Sequence, residues 1–362
     1  MAEDMGRRQI GRRAGVLGSY RWWRGYAEPP WGIDLLLTDA CNLRCSYCPI
    51  WGDDATVPSP ANFMDTGAAL RFLDDVAPLR PMIRLFGGEP FVHPEWRRVV
   101  AHARGHGLHC TAVSNGMRLQ KDAEDLVRLG VLAIGISLDT DGAANDAARG
   151  KGALATVQAG LAALQEAKER LGSETPKVEI YTTVHEGTYR HLADWTETLA
   201  SWGIATLRLQ HLIWFSSAQH RDSMALLQGA LPDPAFFRRE EASYTRDRLP
   251  DMDLEVLADQ LRTIRGRQHP FRIESHPELP VEEMVRFYGS TEYHRHDRVS
   301  CTTMEVYAFV DPRGRLYPCL TLDMGNVFEQ PFLEVWNGPR FRAFRRVVRG
   351  EGRLPLCHRC PD

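Results

Sequence analysis

Cys41, Cys45 and Cys48 stand in TDACNLRCSYCPIWG with the spacing C-x3-C-x2-C. Three thiolates can hold a four-iron, four-sulfur cube through three of its irons and leave the fourth open to a ligand. A structural zinc site is closed by four ligands, commonly two C-x2-C pairs, and no fourth cysteine or histidine stands beside this triplet. A zinc knuckle is the alternative reading of the same residues. Two other stretches offer ligand contacts. IRLFGGEP, residues 83–90, is an apolar run ending in Gly87, Gly88, Glu89 and Pro90, a sharp turn whose bare backbone can touch a bound molecule. LAIGISLDTDG places Ser137 and Asp139 at the end of another apolar run, and Arg149 follows twelve residues after Ser137. An arginine there can pair with a carboxylate through two parallel charge-assisted bonds.

Four more of the eight cysteines, Cys301, Cys319, Cys357 and Cys360, gather towards the C-terminus, so the even count reads as two metal-binding sets rather than as disulfides. Between Cys301 and Cys319 the sequence reads as a hairpin, EVYAFV then a turn at Asp311–Gly314 then RLYPCL, which brings both cysteines towards one end. Four thiolates suffice to close a centre, and spacing alone leaves zinc and iron–sulfur both open. Cys110, in LHCTAVSNG, belongs to neither set and reads as a small buried hydrophobe. His93 reads as a helix-start or packing residue, and His294 and His296 are given no ligand role.

These residues need a frame. Apolar runs at about 33–38, 82–86, 108–113, 132–138, 177–184 and 205–210 alternate with helical patterns, several closed by glycine at 130, 172 and 203. Alternating strand and helix predicts an α/β fold with a parallel sheet, and six units predict a partial (β/α)6 TIM-like barrel, open on one side. Cys41, Gly88, Asn115 and Ser137 all follow strand ends, the side on which barrel enzymes work. Beyond the barrel, DLEVLADQLRTIRG suits an amphipathic helix and HPFRIESHPELP a proline-rich connector, within a stretch expected to cap the substrate. The arginine-rich run FRAFRRVVRGEGR reads as the solvated face of a helix. At 362 residues, 43% hydrophobic, 25% charged and net charge −3, the chain is of ordinary globular composition, with no global drive towards nucleic acid or membrane. No apolar run approaches the ~20 residues of a membrane span, and the N-terminal arginine pairs precede no apolar export signal, so a cytoplasmic location is expected.

The cysteine triplet with Tyr47 before its third member, the GGEP turn, the SLD strand end and Arg149, in that order, resemble the radical S-adenosylmethionine (SAM) superfamily. The resemblance implies that Cys41, Cys45 and Cys48 bind a [4Fe-4S] cluster whose open iron chelates SAM. It also implies that the Tyr47 backbone, Gly88, Glu89, Ser137 and Arg149 hold SAM, and that one electron cleaves SAM to a 5′-deoxyadenosyl radical. C-x12-G-x4-C, then GNV at 325–327, LEVWNG and a closing C-x2-C look like the SPASM extension of that family. A full extension has seven cysteines and two clusters; four match the shortened Twitch form with one auxiliary [4Fe-4S] cluster on Cys301, Cys319, Cys357 and Cys360. The expected organisation is an N-terminal arm (1–30), a radical SAM barrel (31–215), a linker and cap (216–296) and a small cluster domain of hairpin plus helix (297–362). The expected function is hydrogen abstraction leading to an oxidation or cross-link in natural-product, peptide or cofactor biosynthesis, with flavodoxin or ferredoxin as electron donor and a small-molecule or peptide substrate. About thirty residues precede the first strand where peptide modifiers often carry a leader-binding domain, which favours a small molecule or a peptide delivered by a separate protein. A non-catalytic adaptor with zinc in both cysteine sets is the alternative from another class.

Overall fold

The computed structural model describes residues 23–48, 63–140, 142–232, 244–295, 301–319 and 322–360. Most of the N-terminal arm, the PIWG end of the first cysteine motif, part of the cap stretch and His296 lie outside the described residues. Strands and helices alternate as β1 (Gly32–Thr38), α1 (Thr66–Val76), β2 (Met82–Gly87), α2 (Trp96–Gly105), β3 (Cys110–Ser114), α3 (Leu119–Arg128), β4 (Ala133–Ser137), α4 (Gly142–Arg149), α5 (Ala153–Leu171), β5 (Lys177–Val184), α6 (Leu192–Leu199) and β6 (Thr206–His211). Then come α7 (Ser217–Gln228), α8 (Leu254–Arg265), β7 (Arg272–His276), α9 (Val281–Gly289), α10 (Thr303–Val306), β8 (Tyr307–Val310), β9 (Arg315–Tyr317), β10 (Gly325–Asn326), α11 (Phe332–Trp336) and α12 (Pro339–Glu351). Among the described residues they build one sheet in the order β10-β9-β8-β1-β2-β3-β4-β5-β6-β7. Pairing is parallel from β8 through β7, and only β8–β9 and β9–β10 are antiparallel. This is the curved α/β sheet of a partial barrel, extended at both edges.

The two faces of the sheet differ as their side chains require. Ile83, Leu85, Ile134, Ile136, Ile180, Leu207 and Leu209 are buried beneath the helices, against Phe72, Val99, Leu126, Val157 and Leu164 among others. Each fully buried side chain of this kind contributes about 1.5–3 kcal/mol. The opposite positions, Arg84 and Phe86, Glu179 and Tyr181, Arg208 and Gln210, Glu274 and His276, are only half-buried and line the concave lumen. The strand interiors therefore read as apolar runs interrupted by single polar residues.

Three elements depart from the sequence reading. The stretch HPFRIESHPELP contains β7, which pairs from Thr206↔Arg272 to Gln210↔His276. Its signal was masked because Glu274 and His276 face a polar lumen, where Glu274 lies 3.1 Å from Arg208. The segment TMEV forms the helical turn α10, so the hairpin strand begins at Tyr307, and that strand extends the barrel sheet by pairing with β1 rather than standing apart. The arginine run on α12 is not wholly solvated. Arg345 is completely buried and donates to the carbonyls of Met304, Trp336 and Gly25, while Arg349 pairs with Glu305 and the carbonyl of Tyr26. Burial pushes the Arg345 guanidinium down to about 9. The stems and guanidiniums of these residues cover carbonyls that an aliphatic side chain would leave unpaired. No helix among the described residues is long and apolar enough to cross a membrane.

Candidate active site

The first cysteine loop leaves β1 through a turn in which Thr38 Oγ1 accepts the Ala40 N–H at 2.9 Å. The GGEP turn leaves the neighbouring strand β2 and is laced to that loop: the Gly88 N–H donates to Thr38 O at 3.0 Å and the Glu89 N–H to Ala40 O at 2.9 Å. Two glycines make this approach possible. Gly87 has φ +127°, and a Cβ on it would lie 2.4 Å from Thr38 O; on Gly88 it would lie 2.2 Å from Ala40 O. Gly88 thus presses its backbone onto the residue preceding Cys41.

Glu89 is fully buried, and its carboxylate turns towards the end of β3. Oε1 accepts from Ser114 Oγ at 2.9 Å and the Phe91 N–H at 3.2 Å, and Oε2 accepts from the Asn115 N–H at 2.7 Å. Burial nevertheless pushes it up to about 7, against the pull of these donors. Glu89 therefore ties the ends of β2 and β3 together under the cysteine loop. Asn115 in turn points Nδ2 at Asn42 Oδ1, 2.8 Å away, and towards Cys41 Sγ at 3.7 Å.

On the other flank of the loop, Arg149 forms the planar two-bond pair that its chemistry favours, but with Asp139: Nε to Oδ2 at 2.9 Å and Nη2 to Oδ1 at 3.0 Å. Tyr47 also donates its hydroxyl to Asp139 Oδ2, with the Arg149 guanidinium 5.4 Å from the Tyr47 ring centre. Burial raises the Tyr47 phenol well above its usual range, and it also raises the Cys45 thiol, which Arg149 pulls back down. The Ser46 N–H donates to Ala148 O at 3.0 Å, so the loop is fastened to the C-terminal end of α4. Ser137 ends β4 in register with Tyr181 on β5, facing the same side of the sheet. The sequence reading missed His185, whose ring lies tilted against Tyr47 at 4.6 Å between centres. It follows β5 by one residue, and only a strand-end position signalled it.

The buried atoms His185 Nε2 and Thr140 Oγ1 have no hydrogen-bond partner within the described chain, and both belong to segments around Tyr47, Asp139 and Arg149. Such atoms call for a partner that a bound molecule or an ordered water can supply. Burial, with the negative neighbours Glu89, Cys45 and Cys48, pushes the Cys41 thiol up to about 11. A bound iron centre reverses that balance, since its positive charge stabilises thiolates.

Of the second cysteine set, Cys301 and Cys319 flank the β8–β9 hairpin that joins the barrel sheet at β1. β8 runs parallel to β1 with Tyr307 opposite Gly32 and Val310 opposite Leu35, and Phe309 pairs with Tyr317 on β9. The open end of the hairpin, from which Cys301 and Cys319 extend, is therefore at the foot of β1. Its closed end, the Asp311–Gly314 turn, reaches the rim, where Arg313 lies 3.7 Å from Asp39. Burial and the neighbouring Cys301 push the Cys357 thiol up to about 12. Cys360 is joined to Cys357 through its N–H, at 3.0 Å, and Arg359 between them is buried across the ring of Trp214 at 3.6 Å. His294 pairs with His358 at 3.1 Å beside them. Cys110 is completely buried in β3, and His93 is buried with Nε2 2.9 Å from Met64 O. Among the described residues no three cysteine sulfurs lie within 4.8 Å of one another. A single tetrahedral zinc at 2.3 Å from each thiolate requires sulfurs ~3.8 Å apart, whereas a cube holds each thiolate on a separate iron and spreads them wider.

A parallel α/β barrel with three cysteines on its carboxyl rim and four more in the C-terminal segment that extends its sheet is the arrangement expected of an iron–sulfur protein of the partial-barrel class. Residues 35–187 match the Radical SAM superfamily, and residues 301–361 match SPASM, an iron-sulfur cluster-binding domain. The chain belongs to the radical SAM superfamily and carries a C-terminal SPASM-type domain; its cofactors are SAM, a [4Fe-4S] cluster and auxiliary iron–sulfur. It is 26% identical over 329 residues to the AdoMet-dependent heme synthase of Methanosarcina barkeri, covering 89% of this chain and 86% of that one. It is 24% identical over 345 residues to the pre-heme d1 synthase of Dinoroseobacter shibae, covering 90% and 76%. Among solved structures, Streptococcus suis SuiB bound to S-adenosylmethionine superimposes with a TM-score of 0.58 at 14% identity. That match covers 86% of this chain and 66%, just under two thirds, of the longer SuiB chain, and its likeness is one of fold.

Proposed function

We propose that this radical SAM enzyme oxidises a small, carboxylate-bearing substrate held in the barrel lumen between its two cysteine sets. Cys41, Cys45 and Cys48 would hold the cluster, which with SAM would supply the one-electron chemistry that removes a hydrogen atom from an unactivated carbon. The observation that carries the reading is the register of β8 on β1. It sets the open end of the hairpin that carries Cys301 and Cys319 at the foot of a strand whose top delivers Cys41, ~20 Å away along six steps of ~3.3 Å. A substrate in the lumen lies between the two.

The residues take complementary parts. The backbone at Tyr47 and Gly88 would border the SAM amino acid moiety, Ser137 would serve the ribose, and Glu89 braces the turn from behind. Arg149, fixed by Asp139, would pair with the SAM carboxylate through its remaining donors. Four thiolates at Cys301, Cys319, Cys357 and Cys360 leave no open coordination position, which suits an electron acceptor better than a substrate ligand. The reducing electron enters from a flavodoxin or ferredoxin. In the lumen, the Arg84 and Arg208 side chains are 32% and 26% exposed, Arg84 paired with Asp34 and Arg208 with Glu179 and Glu274. A carboxylate on the substrate would meet the exposed part of these arginines beside the rings of Phe86, Tyr181 and Tyr307. Such a lining suits a flat body with peripheral carboxylates, in keeping with the tetrapyrroles named in the two relatives.

The test is anaerobic 5′-deoxyadenosine formation by cluster-loaded protein with SAM and dithionite, in the presence of iron coproporphyrin III or of a short synthetic peptide. Stimulation by the porphyrin, weakened about tenfold or more in Arg208→Ala, is the expected result. Stimulation by the peptide alone, or no response to the porphyrin, refutes the small-molecule reading.

A further inference from the structure

Away from the barrel rim, α2 carries His102 and His106 one turn apart, and both rings converge on a single carboxylate oxygen from α1. His102 Nε2 lies 2.7 Å and His106 Nε2 2.8 Å from Asp74 Oδ1. The rings meet edge to face, 4.9 Å between centres. Among the described residues this is the one group of three potential metal-ligand side chains whose donor atoms all lie within 4.8 Å of one another. We propose that Asp74, His102 and His106 form a surface site for a divalent first-row cation of the zinc type, independent of both cysteine sets.

The chemistry of the set fits such an ion. Two imidazoles at i and i+4 face the same way on a helix, and two nitrogens with one carboxylate oxygen suit zinc and its neighbours rather than magnesium or calcium. Tetrahedral zinc with bonds of ~2.0–2.1 Å needs ligand atoms ~3.4 Å apart. The nitrogen–oxygen separations must open by only ~0.6 Å from their hydrogen-bonded values. All three side chains are at least 30% exposed, so rotation of the exposed ends supplies that movement without disturbing the core. The fourth position faces solvent. His102 and His106 also sit in the last turn and at the C-cap of α2, where the helix carbonyls favour a cation. An ion here would tie the C-terminal ends of α1 and α2 together.

The experiment titrates Zn2+ into the full, cluster-loaded chain under anaerobic conditions, with bound zinc and iron both counted after desalting and thermal unfolding recorded. One zinc per chain in addition to unchanged iron, with a rise in Tm, is expected. His102→Ala and, separately, Asp74→Asn should each lower zinc affinity tenfold or more and abolish the Tm rise, while iron content and SAM cleavage stay at wild-type levels. Equal zinc binding by wild type and both variants overturns the site, as does zinc uptake matched by iron release, which would place the ion on the cysteines.

Discussion

Replacing Gly88 by alanine probes how the cysteine loop is held. The new Cβ would stand 2.2 Å from Ala40 O, 2.6 Å from Ala40 C and 2.7 Å from Asp39 O, all rigid backbone atoms. An ordinary carbon–oxygen contact is ~1 Å longer, so the GGEP turn must retreat from the loop. That retreat breaks the Gly88-to-Thr38 and Glu89-to-Ala40 hydrogen bonds. At ~1 kcal/mol each, with ~1–3 kcal/mol for overpacking, the cost is ~3–5 kcal/mol. This is below the ~5–15 kcal/mol that holds a domain together, so the fold should survive while the loop carrying Cys41 shifts. The assay is iron per chain after anaerobic reconstitution, with 5′-deoxyadenosine formation under dithionite. Iron is expected to fall by about half, SAM cleavage to fall at least a hundredfold, and the C-terminal centre to remain. Gly105→Ala is the control, because nothing lies within 4 Å of its added Cβ and its helical position favours alanine by ~0.5–1 kcal/mol. Wild-type iron and SAM cleavage in Gly88→Ala would refute the reasoning.

Two further perturbations address the supports behind the sites. Burial raises Glu89 from 4.5 to about 7, so its protonation stabilises the fold fully below pH ~4.5 and that contribution is lost as pH rises through ~7. At about 1.4 kcal/mol per pH unit the whole effect is roughly 3 kcal/mol, of which roughly 2 falls between pH 5.5 and 8. Anaerobic urea unfolding should show wild type losing that much relative to Glu89→Gln across this range, and a constant difference would rule the effect out. Arg359 donates to the carbonyls of Phe287 and Ser290 at the end of α9 while it covers Trp214. Arg359→Met leaves those carbonyls unpaired, at ~1–3 kcal/mol each, and loosens the Cys357–Cys360 loop. Loss of the auxiliary iron with SAM cleavage retained is expected, and unchanged iron and Tm would show that Arg359 does not position the loop.

Local spacing made the catalytic cysteines legible, because C-x3-C-x2-C is a property of eight consecutive residues and needs no partner from elsewhere in the chain. The six barrel strands were legible for a similar reason, since each buries an apolar run beneath a helix. Gly87 and Gly88 announced a turn, and the structure supplied the object they approach, the carbonyls of Thr38 and Ala40. Other features depend on strand register across long separations. The direction of the Glu89 carboxylate towards Ser114 and Asn115, and the contact of His185 with Tyr47, each join segments that no local pattern links. The strand β7 was hidden because its inner residues are charged, and the burial of Arg345 because an arginine run looks solvated until its carbonyl partners are known. The sequence by itself determined which chemistry the chain carries, for ligand type and spacing are covalent facts. Tertiary structure decided where that chemistry acts: pairing of β8 with β1 sets the hairpin bearing Cys301 and Cys319 against the barrel edge, because hydrogen-bond register between strands more than 270 residues apart exists only once the sheet has formed.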